Sequence, residues 1–154
     1  MFKSSVYPAL EELQQPLSAQ QLQILKSQLE SENPNPSPQS QFNYAWGLIK
    51  SSNHKHVGDG IEILRHLYQD NDDLRRECLY YLSLGSYKIG EYANSRQYVE
   101  KLLEIDPNNM QAMGLKTSIE DKVTNDGLIG LGIGAGAVAI GVGVLVGILG
   151  RKRK

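Results

Sequence analysis

The sequence predicts an all-α protein, a six-helix bundle followed by one C-terminal transmembrane helix. Between Phe42 and Asn125 no run of residues alternates with period two for long enough to form a strand, whereas apolar residues recur at helical spacing. Short polar breaks separate these stretches, and helices joined so closely must lie antiparallel to their neighbours. The segment 127–150 contains no charged, Asn, Gln, Ser, Thr or Pro side chain, which is typical of a membrane span.

The chain is expected to begin with an arm, residues 1–16, that is interrupted by proline. A helical domain over residues 17–126, called the head below, follows it. Ser18 and Gln21 form a capping box that predicts the start of the first helix, which runs to about residue 30. The segment 31–40 contains three prolines among Ser, Asn and Gln, and is predicted to be an exposed, flexible linker.

Five further helices are predicted in the head, separated by clusters of Gly, Asn, Asp and Pro. Their expected bounds are about 41–52, 58–69, 73–89, 92–104 and 109–125.

The head contains an internal repeat. Residues 76–109 fit the 34-residue tetratricopeptide pattern, with the turn Gly90-Glu91-Tyr92 and Pro107 at the expected places. A weaker copy lies 35 residues earlier, and its connecting loop 53–56 looks lengthened. The predicted fold is therefore a six-helix bundle containing two tandem tetratricopeptide-like repeats. The alternative is a six-helix bundle in which these matches arise by chance.

Stacked helix pairs curve, and the first helix of each pair lines a concave groove. On the helix 73–89 the predicted core stripe comprises Leu74, Cys78, Tyr81, Leu82 and Gly85. The residues on the opposite face of this helix, together with the corresponding residues of the weaker repeat, are predicted to line this groove. Such a groove is suited to an amphipathic helix or an extended peptide. The residues of this candidate groove are Phe42, Ala45, Ile49, Glu77, Tyr80, Leu84 and Tyr87. The alternative is that its tyrosines are half-buried packing residues.

The composition averaged over the whole chain hides an uneven distribution of charge along the sequence. The whole chain carries a net charge of −1 and a mean hydropathy of −0.37. Its last four residues, Arg151, Lys152, Arg153 and Lys154, are all basic, which leaves 12 basic and 17 acidic side chains in residues 1–126, a net charge of −5. An acidic head argues against a nucleic-acid partner, because binding to phosphates needs a basic face.

The segment 127–150 is predicted to be a transmembrane anchor, and 151–154 its basic tip. As a helix it would span about 36 Å, enough to cross a hydrocarbon core of about 30 Å. The partner predicted for this segment is therefore the lipid bilayer. Nine glycines in the segment create several G-x-x-x-G spacings, which favour self-association of membrane helices but also arise by chance at this glycine content.

The orientation of the anchor depends on two conflicting signals. No apolar signal sequence follows Met1, so the C-terminal segment is expected to be the targeting element, with the head in the cytosol. The positive-inside rule would instead keep the basic tip in the cytosol. We favour a cytosolic head, because the sequence shows no signal that would translocate a folded acidic domain across the membrane. The short basic tip is then the expected membrane-targeting element, and the anchor with this tip is similar to mitochondrial outer-membrane and peroxisomal tail anchors.

No catalytic or metal site is predicted, and the protein is not expected to be an enzyme or to need a cofactor. His54 and His56 fall on a predicted loop without an acidic or thiol neighbour, and His66 lies on another helix. Cys78 falls on the predicted core face, which favours a buried, inert thiol.

Three stretches together resemble the mitochondrial fission 1 proteins, in the fungal form that has an N-terminal arm. They are Phe42-Asn43-Tyr44-Ala45-Trp46-Gly47-Leu48-Ile49-Lys50-Ser51, Arg75-Arg76-Glu77-Cys78-Leu79-Tyr80-Tyr81-Leu82 with Gly85, and Tyr87-Lys88-Ile89-Gly90-Glu91-Tyr92. The resemblance implies a cytosol-facing adaptor on the mitochondrial outer membrane and on peroxisomes. It would recruit a dynamin-related GTPase through a propeller-repeat bridging adaptor. It also implies that the arm lies over the groove and that Glu77, Leu84 and Tyr87 contact the bridging adaptor.

A second function remains open from the sequence. A tail-anchored tetratricopeptide receptor in protein import, or a membrane tether, would carry the same anchor and repeats. An import receptor would need a groove open to many presequences and not covered by the arm.

Overall fold

The computed structural model describes residues 15–125, which form six α-helices and one short 3₁₀ turn. The helices are α1 (Ala19–Ser31), α2 (Pro38–Ile49), α3 (His54–Asp70), α4 (Arg75–Lys88), α5 (Tyr92–Ile105) and α6 (Met110–Asn125), with the 3₁₀ turn over Asp72–Leu74. The predicted all-α fold is confirmed over this range. Within it, no helix combines the length and the apolar character that a bilayer crossing needs. The predicted anchor 127–150 and most of the arm 1–16 lie outside the described residues.

Each helix packs against the next along the chain, and α4 also contacts α2. The pairs α2–α3 and α4–α5 correspond to the two predicted repeats, with α1 and α6 flanking them. Leucine, isoleucine and valine from α2 to α6 fill one continuous core. Its largest fully buried side chains include Ile49, Leu64, Leu79, Leu82, Leu84, Leu102, Leu115 and Ile119.

Two glycines allow close contact between the helices of this core. A Cβ atom on Gly60 would lie 2.9 Å from the backbone oxygen of Ala45, so α2 and α3 meet almost backbone to backbone. A Cβ atom on Gly85 would lie 2.6 Å from the Cδ1 atom of Ile49. Ile49 therefore occupies the space that these glycines leave at the junction of α2, α3 and α4.

Two buried serines join α4 to α5. The Ser83 hydroxyl donates to the backbone oxygen of Ser95 at 2.8 Å, and the Ser95 hydroxyl donates to the backbone oxygen of Ser83 at 2.7 Å. Small side chains at both positions let the helices approach closely, and each hydroxyl is satisfied although it is buried. The second repeat is thus held together by polar as well as apolar contacts.

The predicted linker 31–40 is shorter than expected. Ser31 is the last residue of α1, and α2 already begins at Pro38, so only residues 32–37 are non-helical. The proline run favoured a linker, but proline is well accommodated in the first turn of a helix, where its missing N–H is not needed. The side chain of Ser37 caps α2 by accepting from the Ser40 N–H at 3.1 Å.

Glu32 organises this connection. Its carboxylate accepts from the Ser37 N–H at 2.8 Å, from the Gln28 side-chain amide at 2.6 Å and from the Ser40 hydroxyl at 2.8 Å. These hydrogen bonds lower the pKa of Glu32 to about 2, and the bond from the Ser37 backbone N–H has the largest effect. A single carboxylate thus ties the end of α1 to the start of α2.

The Glu32→Gln variant is expected to be less stable than the wild type at pH 7 and to lose less stability on acidification. The folded-state pKa lies below the ordinary value of 4.5, so the carboxylate contributes stability that is present above that value and lost as the pH falls toward 2. Urea unfolding of both proteins at pH 7 and pH 3 measures the difference. Equal acid sensitivity of the two proteins would contradict the role assigned to Glu32.

His54 and His56 lie in a helix and not on a lengthened loop. α3 begins at His54, and the Asn53 side chain caps it by accepting from the Lys55 N–H at 2.9 Å. His56 bonds the Ser51 hydroxyl through Nδ1 at 3.1 Å. The prediction of a loop over 53–56 was wrong because the asparagine cap, which starts the helix early, was not recognised.

Candidate partner-binding groove

The α2 members of the candidate groove divide between surface and core. Phe42 is half-buried and packs edge to face on Tyr81, with the ring centroids 5.8 Å apart. Ala45 and Ile49 have no exposed surface. Their burial follows from the close approach of α3 and α4 at the two glycines described above. Of these three side chains, only Phe42 offers surface to a partner in this structure.

The α4 members are also only partly accessible. Glu77 is exposed and Tyr87 half-buried, whereas Tyr80 is 8% exposed and Leu84 is completely buried. Tyr87 packs edge to face on Tyr92 at the start of α5, with the centroids 5.3 Å apart. Tyr80 and Leu84 therefore contribute to packing in this structure, whereas Glu77 and part of Tyr87 are accessible.

The predicted core stripe on α4 is confirmed for Cys78, Leu82 and Gly85, which are buried. Leu74 and Tyr81 are only half-buried. The division of α4 into one core face and one open face was nevertheless too simple. Because α4 is contacted by α2, α3 and α5, most of its surface between residues 78 and 86 is covered.

Cys78 lies in this covered part of α4. It has no exposed surface, and burial, together with the nearby Glu77 carboxylate, raises the pKa of its thiol to about 12. The thiol is therefore protonated at neutral pH, as the sequence predicted for a buried cysteine.

Lys88 connects the ends of α2 and α4. Its ammonium group donates to the backbone oxygen of Ile49 at 3.0 Å, which satisfies a carbonyl that the end of α2 leaves open. Burial, and then the positive charge of Lys50, lower the pKa of Lys88. This contact fixes the relative position of the two helices that carry the candidate groove.

A pocket of about 340 Å³ lies between the first turns of α4 and the connection from α5 to α6. We call it the α4–α6 pocket. It contains two of the predicted groove residues, Glu77 and Tyr80, and five that sequence reasoning missed. Its lining residues are Arg76, Glu77, Tyr80, Tyr81, Asp106, Asn109 and Gln111. Two of the missed residues, Asp106 and Asn109, come from the break at 106–109, where the composition indicated only a helix boundary and nothing local indicated the approach of α4.

One carboxylate in the α4–α6 pocket lacks a compensating charge. Asp106 pairs with Arg76 at 3.7 Å and accepts from the Asn109 side-chain amide at 3.2 Å. Within residues 15–125, no ion pair within 4 Å involves Glu77. The pocket thus presents one uncompensated negative charge beside two tyrosine rings, which meet edge to face with centroids 5.1 Å apart.

Exposed apolar side chains lie close to the pocket in sequence, at the end of α5 and the start of α6. Met110 is 76% exposed, Ile105 48% and Met113 41%. Methionine is flexible and polarisable, so it adapts well to a partner's apolar side chains. Apolar, aromatic and acidic surface together fit a protein segment better than a small polar substrate.

No group of three or more His, Cys, Asp or Glu side chains in the described part of the chain is placed to hold a metal ion. The predicted targeting residues Arg151, Lys152, Arg153 and Lys154 lie outside the described residues.

Stacked helix pairs with a pocket at the first helix of the second pair define a helical-repeat binding module. Two family models match the chain, the Fis1 N-terminal tetratricopeptide repeat over residues 39–71 and the Fis1 C-terminal tetratricopeptide repeat over residues 76–128. A mitochondrial fission 1 protein of Candida albicans is 60% identical over 154 residues, covering 100% of this chain and 99% of the relative. The chain belongs to the mitochondrial fission 1 protein family, which confirms the resemblance and the tandem repeats.

The similar solved structures include two complexes of yeast Fis1. Yeast Fis1, in complex with an Mdv1 fragment containing N-terminal extension and coiled-coil domains, is 46% identical with a TM-score of 0.73. That match covers 77% of this chain and 94% of the yeast chain. Yeast Fis1 complexed with a fragment of Caf4 is 48% identical with a TM-score of 0.56, covering 59% and 94% of the two chains.

Proposed function

We propose that this protein is a membrane-anchored adaptor for organelle fission. The concave side of its repeats binds a segment of a bridging adaptor protein, and the bridging adaptor recruits a dynamin-related GTPase. The observation that carries the proposal is the likeness, at 46% identity and a TM-score of 0.73, to a relative that was solved with an adaptor fragment.

The surface chemistry supports this role. An amphipathic helix needs a groove with apolar anchoring surface and a few polar groups that set its orientation. The half-buried Phe42 and Tyr81 supply aromatic surface, while Glu77 and Gln111 supply polar groups at the α4–α6 pocket. The buried groove residues Ala45, Ile49 and Leu84 and the half-buried Tyr87 would support this surface from beneath.

The proposed location is the mitochondrial outer membrane, and also peroxisomes, with the head, residues 17–126, in the cytosol. The segment 127–150 would cross the bilayer, and the basic tip 151–154 would direct targeting. The family membership and the uncharged segment support this placement. The anchor also offers a surface for self-association through its glycine spacings.

The test is a titration of the full chain, reconstituted in lipid nanodiscs, with the yeast Mdv1 fragment. Glu77→Arg is expected to weaken binding about tenfold or more, because it replaces the uncompensated pocket carboxylate with a like-charged neighbour of Arg76. Glu104→Arg is the matched control, since Glu104 is also exposed but lies on α5, outside the pocket. It should bind as the wild type does.

Two results would contradict the proposal. Absence of fragment binding by the wild-type chain would remove the adaptor role. Equal loss of binding in both variants would show that fragment binding depends on the net charge of the head and not on the pocket. Binding of mitochondrial presequence peptides in place of the fragment would instead favour the import-receptor function.

A further inference from the structure

We infer that the α4–α6 pocket receives the guanidinium group of an arginine on the bound partner segment. The inference rests on the proposed function and specifies which side chain the segment must present. Three features of the pocket carry it: one uncompensated carboxylate, two tyrosine side chains and the side-chain amide of Gln111 on α6.

The charge distribution selects a cation. Arg76, the one positive side chain among the lining residues, is engaged with Asp106, which leaves the exposed Glu77 carboxylate as the unbalanced charge. The described part of the chain, residues 15–125, has 11 basic and 14 acidic side chains. Its overall field therefore also attracts a basic segment and would raise the association rate.

The shape and the donors of the pocket select arginine over lysine. A guanidinium is planar, can bond a carboxylate through two parallel N–H groups and stacks on aromatic faces, whereas an ammonium is a compact, strongly hydrated point charge. Tyr80 and Tyr81 line the pocket with Glu77, and Tyr81, the more exposed of the two, offers the larger aromatic surface to a guanidinium. The side-chain oxygen of Gln111 on α6 can accept a further N–H.

The arginine is expected to extend from the partner's helix or strand with its aliphatic stem along the tyrosine rings. Apolar neighbours on the same segment would then meet Met110 and Met113 near the start of α6. A helical segment would place such neighbours three or four residues from the arginine.

The test uses the full chain in detergent micelles and two small probes, N-acetyl-arginine amide and N-acetyl-citrulline amide. Citrulline has the same length and planarity but no charge. NMR signals of the Tyr80 and Tyr81 rings report occupancy of the pocket. The arginine probe should bind roughly twofold to fivefold more tightly than the citrulline probe, the scale of one exposed charge pair. Glu77→Gln should reduce its binding to the citrulline level, and Glu104→Gln should leave it unchanged.

Equal binding of the two probes, or an unchanged arginine affinity in Glu77→Gln, would overturn the inference. N-acetyl-lysine amide binding as tightly as the arginine probe would overturn the choice of arginine. The Mdv1 fragment is titrated in parallel. Fragment binding without any preference for arginine contradicts this inference alone, whereas arginine preference without fragment binding contradicts the proposed function alone.

Discussion

Replacing Leu84 with alanine is expected to lower the free energy of unfolding by about 2–5 kcal/mol, the range for truncation of a fully buried leucine. Leu84 has no exposed surface and belongs to the continuous core. The substitution removes its buried contacts and leaves a cavity that the neighbouring helices fill only in part. Urea unfolding followed by circular dichroism measures the loss.

The matched control is Ile105→Ala at the end of α5. Ile105 is 48% exposed, so its truncation should change the stability by less than about 1 kcal/mol. A Leu84→Ala protein as stable as this control would show that Leu84 is a surface residue in solution. Leu84 could then contact a partner directly, as the family resemblance implied.

The second large effect is expected from Gly60→Ala, which should destabilise the protein by about 1–3 kcal/mol, the range for overpacking a tight core site. The added Cβ atom would stand 2.9 Å from the backbone oxygen of Ala45. A backbone atom cannot rotate away as a side chain can, so α2 and α3 must separate. Thermal unfolding of the full chain measures the effect.

Gly114→Ala makes the same chemical change where no contact opposes it. Gly114 lies within the exposed part of α6, and a Cβ atom there would meet nothing within 4 Å. Alanine favours the helix over glycine by about 1 kcal/mol, so this variant should be more stable than the wild type. Effects of the same sign in both variants would contradict the close packing of α2 on α3.

The helices of the head could be predicted from the sequence because their signals are local. The capping box of Ser18 and Gln21 is present in the structure, with both hydrogen bonds formed. The errors occurred where a cap or a turn contradicts the composition. Asn53 starts α3 earlier than predicted, and Ser37 with Pro38 starts α2 inside the predicted linker.

The groove could be predicted only in part, because helical periodicity shows which residues share a face but not what covers that face. Of the residues predicted for the groove, Glu77 and Tyr80 line the α4–α6 pocket, whereas Ile49 and Leu84 lie in the core. Gly85 and Gly60 draw the helices together and bury these side chains. Asp106, Asn109 and Gln111 approach α4 only through the fold, so local sequence gave no indication of them.

We expect the partner segment to bind on the concave side of the repeats, at the α4–α6 pocket. A photo-crosslinking side chain introduced at Gln111 in the full chain, on membranes, tests it most directly. Gln111 is exposed and lines the pocket, while Glu104 on α5 is exposed outside it and serves as the control position. Illumination is expected to join the adaptor fragment to position 111 and not to position 104. Crosslinking from position 104 alone would contradict it.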